Sequence, residues 1–256
     1  LSCLRDLYQA SSMKSNCTVK TYFVAFLSVL FTICGCSRQQ NPDELIIAAA
    51  TNLQYALKEI GDNFSSITDI SITFVWSSTG SLANQIPNGA PYDIFFAGNR
   101  TMIDPLQEKG FFLDEHTVTF AGGQIAIGVP VNNRNEITRK PVTINDFDKP
   151  DIKKIVIASP DHAPFGIAAK EALINQGLWD VLRSKILYAE NVRQCLQFIQ
   201  TGNADAGIIS SNIPSIDGIL VTPVEPDLYT PPAQTAAVLK SSLNIETAIK
   251  FVNFLR

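Results

Sequence analysis

Histidine is scarce in this 256-residue sequence, with His116 and His162 alone. That leaves little room for a histidine metal site or a histidine base. Charge is also thin, at 17% of residues with a net of −4, and no block of lysine and arginine occurs. A mildly acidic chain without a basic patch is a poor partner for nucleic acid, and no DNA-binding segment precedes residue 44. No repeat of 20–50 residues and no low-complexity tract interrupts the chain. No G-x-S-x-G elbow is present, and His162 has no serine and aspartate partners at a defined spacing. An enzyme is therefore not expected. What remains is ordinary globular composition, 46% hydrophobic, enough core for one large or two small domains.

The longest apolar run, "YFVAFLSVLFTICGC" at 22–36, is short for a comfortable bilayer span and follows Lys14 and Lys20. Its shape is that of a secretory signal starting at Met13, so residues 1–12 are expected to precede the true start. The run ends in "ICGC", which resembles a bacterial lipobox with Cys36 as the lipidated residue. Residues 1–35 are then a signal peptide and 36–43 a lipid-anchored tether. The chain is expected in the periplasm or at the cell surface, held to a membrane by its lipid. An uncleaved anchor helix is the alternative. Cleavage would remove Cys3, Cys17 and Cys34 and leave Cys195 without a disulfide partner.

From residue 44 the chain reads as strand followed by helix. Strands are expected at 44–50, 71–75, 92–98, 124–130, 153–159, 206–210 and 234–240. Near-continuous apolar strands between amphipathic helices point to parallel sheets covered on both faces, an α/β fold. The polar stretch "NNRNEITRKP" at 132–141 reads as a surface excursion. In "IIAAATNLQYALKEI" (46–60) a strand feeds straight into a helix whose face is Leu53, Ala56, Leu57 and Ile60, with Thr51 at its mouth. Three other places repeat the arrangement: "WSSTGSLANQI" with a helix from near Leu82, "SPDHAPFGIAAKEAL", and "AENVRQCLQFI". In open α/β sheets ligands bind beyond the carboxyl ends of strands. A helix start offers unpaired N–H donors and a partial positive charge, so four aimed at one point would receive an anion. Singly, each has a plainer reading: Thr51 or Asn52 as a helix cap, "SSTGS" as a turn, "APFG" as a loop end.

Together these segments resemble the molybdate-binding proteins of ABC importers, members of the two-domain periplasmic-binding superfamily. The resemblance covers roughly residues 44–256 and rests on "AAATNL", "SSTGSLANQI", "NGAPYDIFFAGN", "PDHAPFGIAAKEAL", "GLWD", "ENVRQ" and "ADAGII". It implies a type II two-lobed α/β fold, each lobe a sheet flanked by helices, joined by two hinge crossings. Residues 44–122 plus 231–256 would form the first lobe and 123–230 the second, with a crossing near Gly122 and Gly123. The function implied is capture of molybdate or tungstate and delivery to an ABC permease, with no cofactor besides the ligand.

Residue by residue, the resemblance puts one ligand hydroxyl on Thr51, with Asn52 beside it, and another on Thr79. Backbone N–H donors fall on Phe165 and Val192. Thr51, Thr79, Phe165 and Val192 would touch oxyanion oxygens and not the metal itself. Thr79 stands where serine is usual, and Ser210 where some members place a tyrosine. The family's chains also run on past "FVNFLR" with a further helix, so a truncated sequence or a different closure of the first lobe is expected. Such a site would replace lost hydration with neutral donors, each helix dipole adding roughly 0.3–1 kcal/mol. Arg193 is expected to point elsewhere. A donor-only pocket should disfavour a protonated anion such as hydrogen phosphate, unless Asp161 turns inward. Sulfate, phosphate or another oxyanion remains the alternative ligand.

Overall fold

The computed structural model describes residues 44–131, 142–213 and 218–255. The expected signal, the tether with Cys36 and the polar excursion at 132–141 lie outside the described residues. The described chain builds two five-stranded sheets. The first draws on β1 (Glu44–Ala50), β2 (Ser71–Ser77), β3 (Ile94–Ala97), β4 (Phe112–Gly122) and, from the far end of the chain, β10 (Ala233–Leu239). The second is made of β5 (Ile125–Pro130), β6 (Ile155–Ala158), β7 (Ile186–Ala189), β8 (Ala206–Ser210) and β9 (Ile219–Pro223). The orders are β2-β1-β3-β10-β4 and β7-β6-β8-β5-β9.

The sheets are mixed, which corrects the expectation of parallel ones. In the first, β10 runs antiparallel to both β3 and β4. In the second, β5 runs antiparallel to both β8 and β9. Each reversed strand is the first that the chain enters after leaving the other sheet. The parallel strands end at the cleft, so a chain arriving across the cleft enters its new sheet at that end and runs the opposite way. The expectation also lacked three strands, β4, β7 and β9. Two are sheet edges of mixed burial, and β7 is a four-residue edge.

Helices α1 (Gln54–Thr68), α2 (Thr79–Gln85), α3 (Asp104–Glu108) and α7 (Ile245–Phe254) cover the first sheet. Strand β1 shows how. Leu45, Ile47 and Ala49 pack with Leu57 and Phe64 of α1 and with Phe251 of α7. Ile46 and Ala48 point the other way, to Leu82 of α2 and to Ile86 just past its end. The period of two along a strand sorts one apolar run into two cores. Phe64 meets Phe251 edge-on at 5.1 Å, fastening the last helix to the first. Each such ring contributes roughly 1.5–3 kcal/mol by burial. Asp93, fully buried, accepts from the Ile46 N–H at 2.7 Å and the Ser242 hydroxyl at 2.6 Å, binding the two halves of this sheet.

In the second lobe, α4 (Pro164–Asn175), α5 (Trp179–Leu182) and α6 (Val192–Gln200) flank the sheet. Phe165, Ala168, Ala169, Ala172 and Leu173 form the buried face of α4. Val192, Cys195, Leu196 and Ile199 form that of α6. Burial pushes the Cys195 thiol well above its ordinary range, so it packs as a small hydrophobe. Gly166 lets α4 start hard against β6: a Cβ there would lie 2.2 Å from the Ala158 carbonyl oxygen.

Candidate functional site

Four chain turns meet between the sheets, each just past the carboxyl end of a strand. Ala50, Thr51 and Asn52 follow β1; Ser77, Ser78 and Thr79 close β2. Ala163, Pro164 and Phe165 follow β6, and Asn191 and Val192 follow β7. These residues line one partly open cavity of about 10 Å³, roughly the space of a single water. All five expected site residues, Thr51, Asn52, Thr79, Phe165 and Val192, line it. None of the lining residues is charged. Ser210 is buried at the end of β8 and is not among them, and exposed Asp161 is not either.

The local geometry places polar groups at the cavity wall. Thr51, Asn52 and Leu53 form a single 3-10 turn before α1, and neither Thr51 nor Asn52 makes a capping bond. The plainer reading of these two as helix caps is therefore not what the fold does. The side-chain nitrogen of Asn52 is buried without a hydrogen-bond partner, a costly state for an amide donor. Helix α2 begins at Thr79, three residues before the expected start near Leu82, because Ser78 caps it by accepting from the Ser81 N–H. The Thr79 hydroxyl oxygen accepts from the Gly98 N–H at 3.0 Å, which fixes the oxygen and leaves its proton to donate elsewhere. In the second lobe, Pro164 opens α4 and Phe165 follows it; Asn191 caps α6 by accepting from the Gln194 N–H at 3.1 Å. Phe165 and Val192 thus sit in the first turn, among the N–H groups that a helix start leaves unpaired.

Charge is kept to the rims. On one side Glu190 accepts from the Ser81 hydroxyl at 2.7 Å and the Ser78 hydroxyl at 3.1 Å and faces His162 Nε2 at 3.4 Å. The Ser81 hydroxyl, aided by Ser78 and His162, holds the Glu190 carboxyl below the usual glutamate range against the opposing pull of burial. On the other side Arg193 donates to Gln54 across the cleft. Both belong to a wider pocket of about 440 Å³ that shares Thr51 and Asn191 with the small cavity. Arg193 thus points away from the cavity itself. Among the described residues no group of three or more histidine, cysteine, aspartate or glutamate side chains could hold a metal ion. The capping by Ser78 and Asn191, the Gly98 donor and the Glu190 contacts were missed in the sequence. The preference of serine and asparagine for caps is the signal that could have found the first two.

A model of the family described as "Bacterial extracellular solute-binding protein" matches residues 45–256. The chain belongs to that family. Among relatives of this solute-binding protein, the putative ABC transporter substrate-binding lipoprotein YvgL of Bacillus subtilis (strain 168) is 28% identical over 243 residues, covering 91% of each chain. The molybdate-binding protein ModA of Azotobacter vinelandii is 29% identical over 221 residues, 83% of this chain and 84% of that one. The solved Azotobacter vinelandii periplasmic molybdate-binding protein superposes with a TM-score of 0.70 at 26% identity, covering 82% of this chain and 92% of that one. In a solute-binding protein of this fold, a cavity between two sheets at the carboxyl ends of their strands is where a ligand is expected.

Proposed function

We propose that this solute-binding protein captures molybdate or tungstate between its lobes and hands it to an ABC permease outside the cytoplasm. The name of the Bacillus relative supports the transport role, and those of the Azotobacter proteins the ligand class. The observation that carries the reading at this site is a cavity lined by neutral donors, with the Asn52 amide nitrogen buried and unpartnered. A tetrahedral dianion there accepts from the hydroxyls of Thr51 and Thr79, the Asn52 amide, and the backbone N–H groups of Phe165 and Val192. Helix starts supply the positive end of the dipole without a cation. Because no carboxylate lines the cavity, a protonated anion finds no charged acceptor for its proton. The cavity is smaller than the ligand, so the lobes part to admit it and reclose, swinging on crossings near Gly122, Gly123 and residue 231. On this reading 44–122 with 231–256 is one moving body and 123–230 the other. Ligand contacts made by both lobes at once favour the closed state. The protein is a carrier and performs no catalysis.

Calorimetric titration of the full chain tests this. Molybdate or tungstate should bind saturably, and sulfate and phosphate at least about tenfold more weakly, the equivalent of one lost charge-assisted hydrogen bond. Sulfate binding as tightly would make the protein a general oxyanion carrier, and no binding by any of the four would end the proposal. Anchorage through Cys36 is part of the same reading. Cys36→Ala should move the protein from the detergent phase to the aqueous phase, whereas an uncleaved variant that stays with membranes would favour an anchor helix.

A further inference from the structure

At the rim beside the cavity the two lobes meet backbone to backbone. The Gly80 N–H of α2 donates to the His162 carbonyl of the second lobe at 2.8 Å. A Cβ on residue 80 would lie 2.7 Å from His162 Cβ, 2.8 Å from its oxygen and 2.9 Å from its Cα. Two of those three are main-chain atoms, which cannot rotate aside. Glycine within a helix is less favourable than alanine, so α2 by itself gains nothing from a glycine here. Its absent side chain is explained by the approach of the other lobe. Around this contact, Ser78 and Ser81 of the first lobe both donate to the Glu190 carboxylate of the second, and His162 faces its other oxygen.

We infer that Gly80, Ser78 and Ser81 on one lobe and His162 and Glu190 on the other form a closure latch that holds the cleft shut beside the ligand. They are positioning residues. Of the hydroxyls in "SSTGS", those of Ser78 and Ser81 donate to Glu190, while that of Thr79, at the cavity wall, accepts from the Gly98 N–H. Ser78 also caps α2, so the latch steadies the turn that carries Thr79. The latch rests on reading the cavity as the oxyanion site, because its purpose there is to slow the ligand's escape.

The test compares the full chain with Gly80→Ala, Glu190→Gln and Ser81→Ala, measuring molybdate release by stopped flow and melting of the ligand-free protein. Gly80→Ala should release molybdate about tenfold faster or more, since affinity changes within one interface appear mainly in the off-rate. Its ligand-free melting midpoint should change little, because parting of the lobes relieves the clash and alanine favours the helix; a glycine required for the fold of its own lobe would show a large fall. Glu190→Gln should release roughly threefold to tenfold faster, and adding Ser81→Ala to it should cost less than Ser81→Ala does alone, since the bond the two share has already lost its charge. Wild-type release rates in both Gly80→Ala and Glu190→Gln would overturn the latch while leaving the binding proposal intact. If the wild-type chain binds no oxyanion, the binding proposal fails and amide exchange decides the latch. The Gly80 N–H of the ligand-free protein should then exchange faster in Glu190→Gln, and equal exchange would overturn it.

Discussion

The two lobes furnish the proposed site in different currencies. The first lobe offers side chains: the hydroxyls of Thr51 and Thr79 and the amide of Asn52. The second offers the main chain, at the starts of α4 and α6, with the side chains of Phe165 and Val192 turned into its core. A side-chain donor can be lost by one substitution and traded for another in evolution. A main-chain donor survives nearly any substitution, because it depends on where a helix begins. The first lobe is therefore where ligand preference can change, and the second where affinity for an anion as such is built in.

The largest expected effects break that asymmetry directly. Thr51→Ala and Thr79→Ala should each weaken oxyanion binding about tenfold or more, the loss of a charge-assisted hydrogen bond worth roughly 1.5–3 kcal/mol. Thr79→Ala carries an added stability cost, since the buried Gly98 N–H loses its acceptor. Thr79→Ser keeps the hydroxyl and should be near neutral. Val192→Ala, by contrast, should change affinity less than about threefold while lowering stability by about 1–2 kcal/mol of lost packing. Equal losses at Thr51, Thr79 and Val192 in titration calorimetry would contradict the division of labour.

A sharper form aims at the backbone itself. Val192→Pro removes the N–H but no helical bond, because proline is tolerated at the first helical position. Asn191 before it is already extended, at φ −157 and ψ 172, which a following proline permits. This variant should bind about tenfold more weakly, with helix content unchanged by circular dichroism. If it binds as wild type does, the second lobe's donor has been misplaced.

Asn52→Leu should separate binding from stability. The orphaned amide costs the ligand-free fold about 1–3 kcal/mol, so an apolar replacement of similar shape should raise the ligand-free melting midpoint while weakening the ligand. A fall in both would mean that the amide has a structural partner.

The smallest effect concerns the charged rim. Glu190 titrates below the ordinary glutamate value in the fold, so its contribution to closure is present above that value. It is lost as pH falls through the depressed one. Ligand release should therefore quicken only at and below the ordinary glutamate range, and Glu190→Gln should remove that acid-dependent part. Quickening at neutral pH in the wild type would assign it elsewhere.

Legibility in the sequence follows the same divide between local and distant causes. Strands β1 and β8 were readable to the residue because both lie within a sheet and are buried on both faces. Edge strand β4 hid because "LDEHT" interrupts its apolar residues with charge that an edge can leave in water. The reversal of β5 and β10 leaves no local trace, since it is set by the crossing of the chain between lobes. At the site, hydroxyl and cap residues marked the turns, while the Gly80 approach and the Glu190 contacts join residues about a hundred apart or nearly so and could not be read from spacing.

The most direct test of the central claim is the thermal unfolding of the protein with each oxyanion. A ligand bound only by the folded, two-lobed state at about a hundred times its dissociation constant contributes roughly 2.7 kcal/mol. For a fold of this size that is a rise of about 5–10 °C in melting midpoint. Molybdate or tungstate should produce it, and equal concentrations of sulfate or phosphate should produce much less. A comparable rise with sulfate would contradict the proposed selectivity, and no rise with any oxyanion, from protein shown to be folded, would contradict the site altogether.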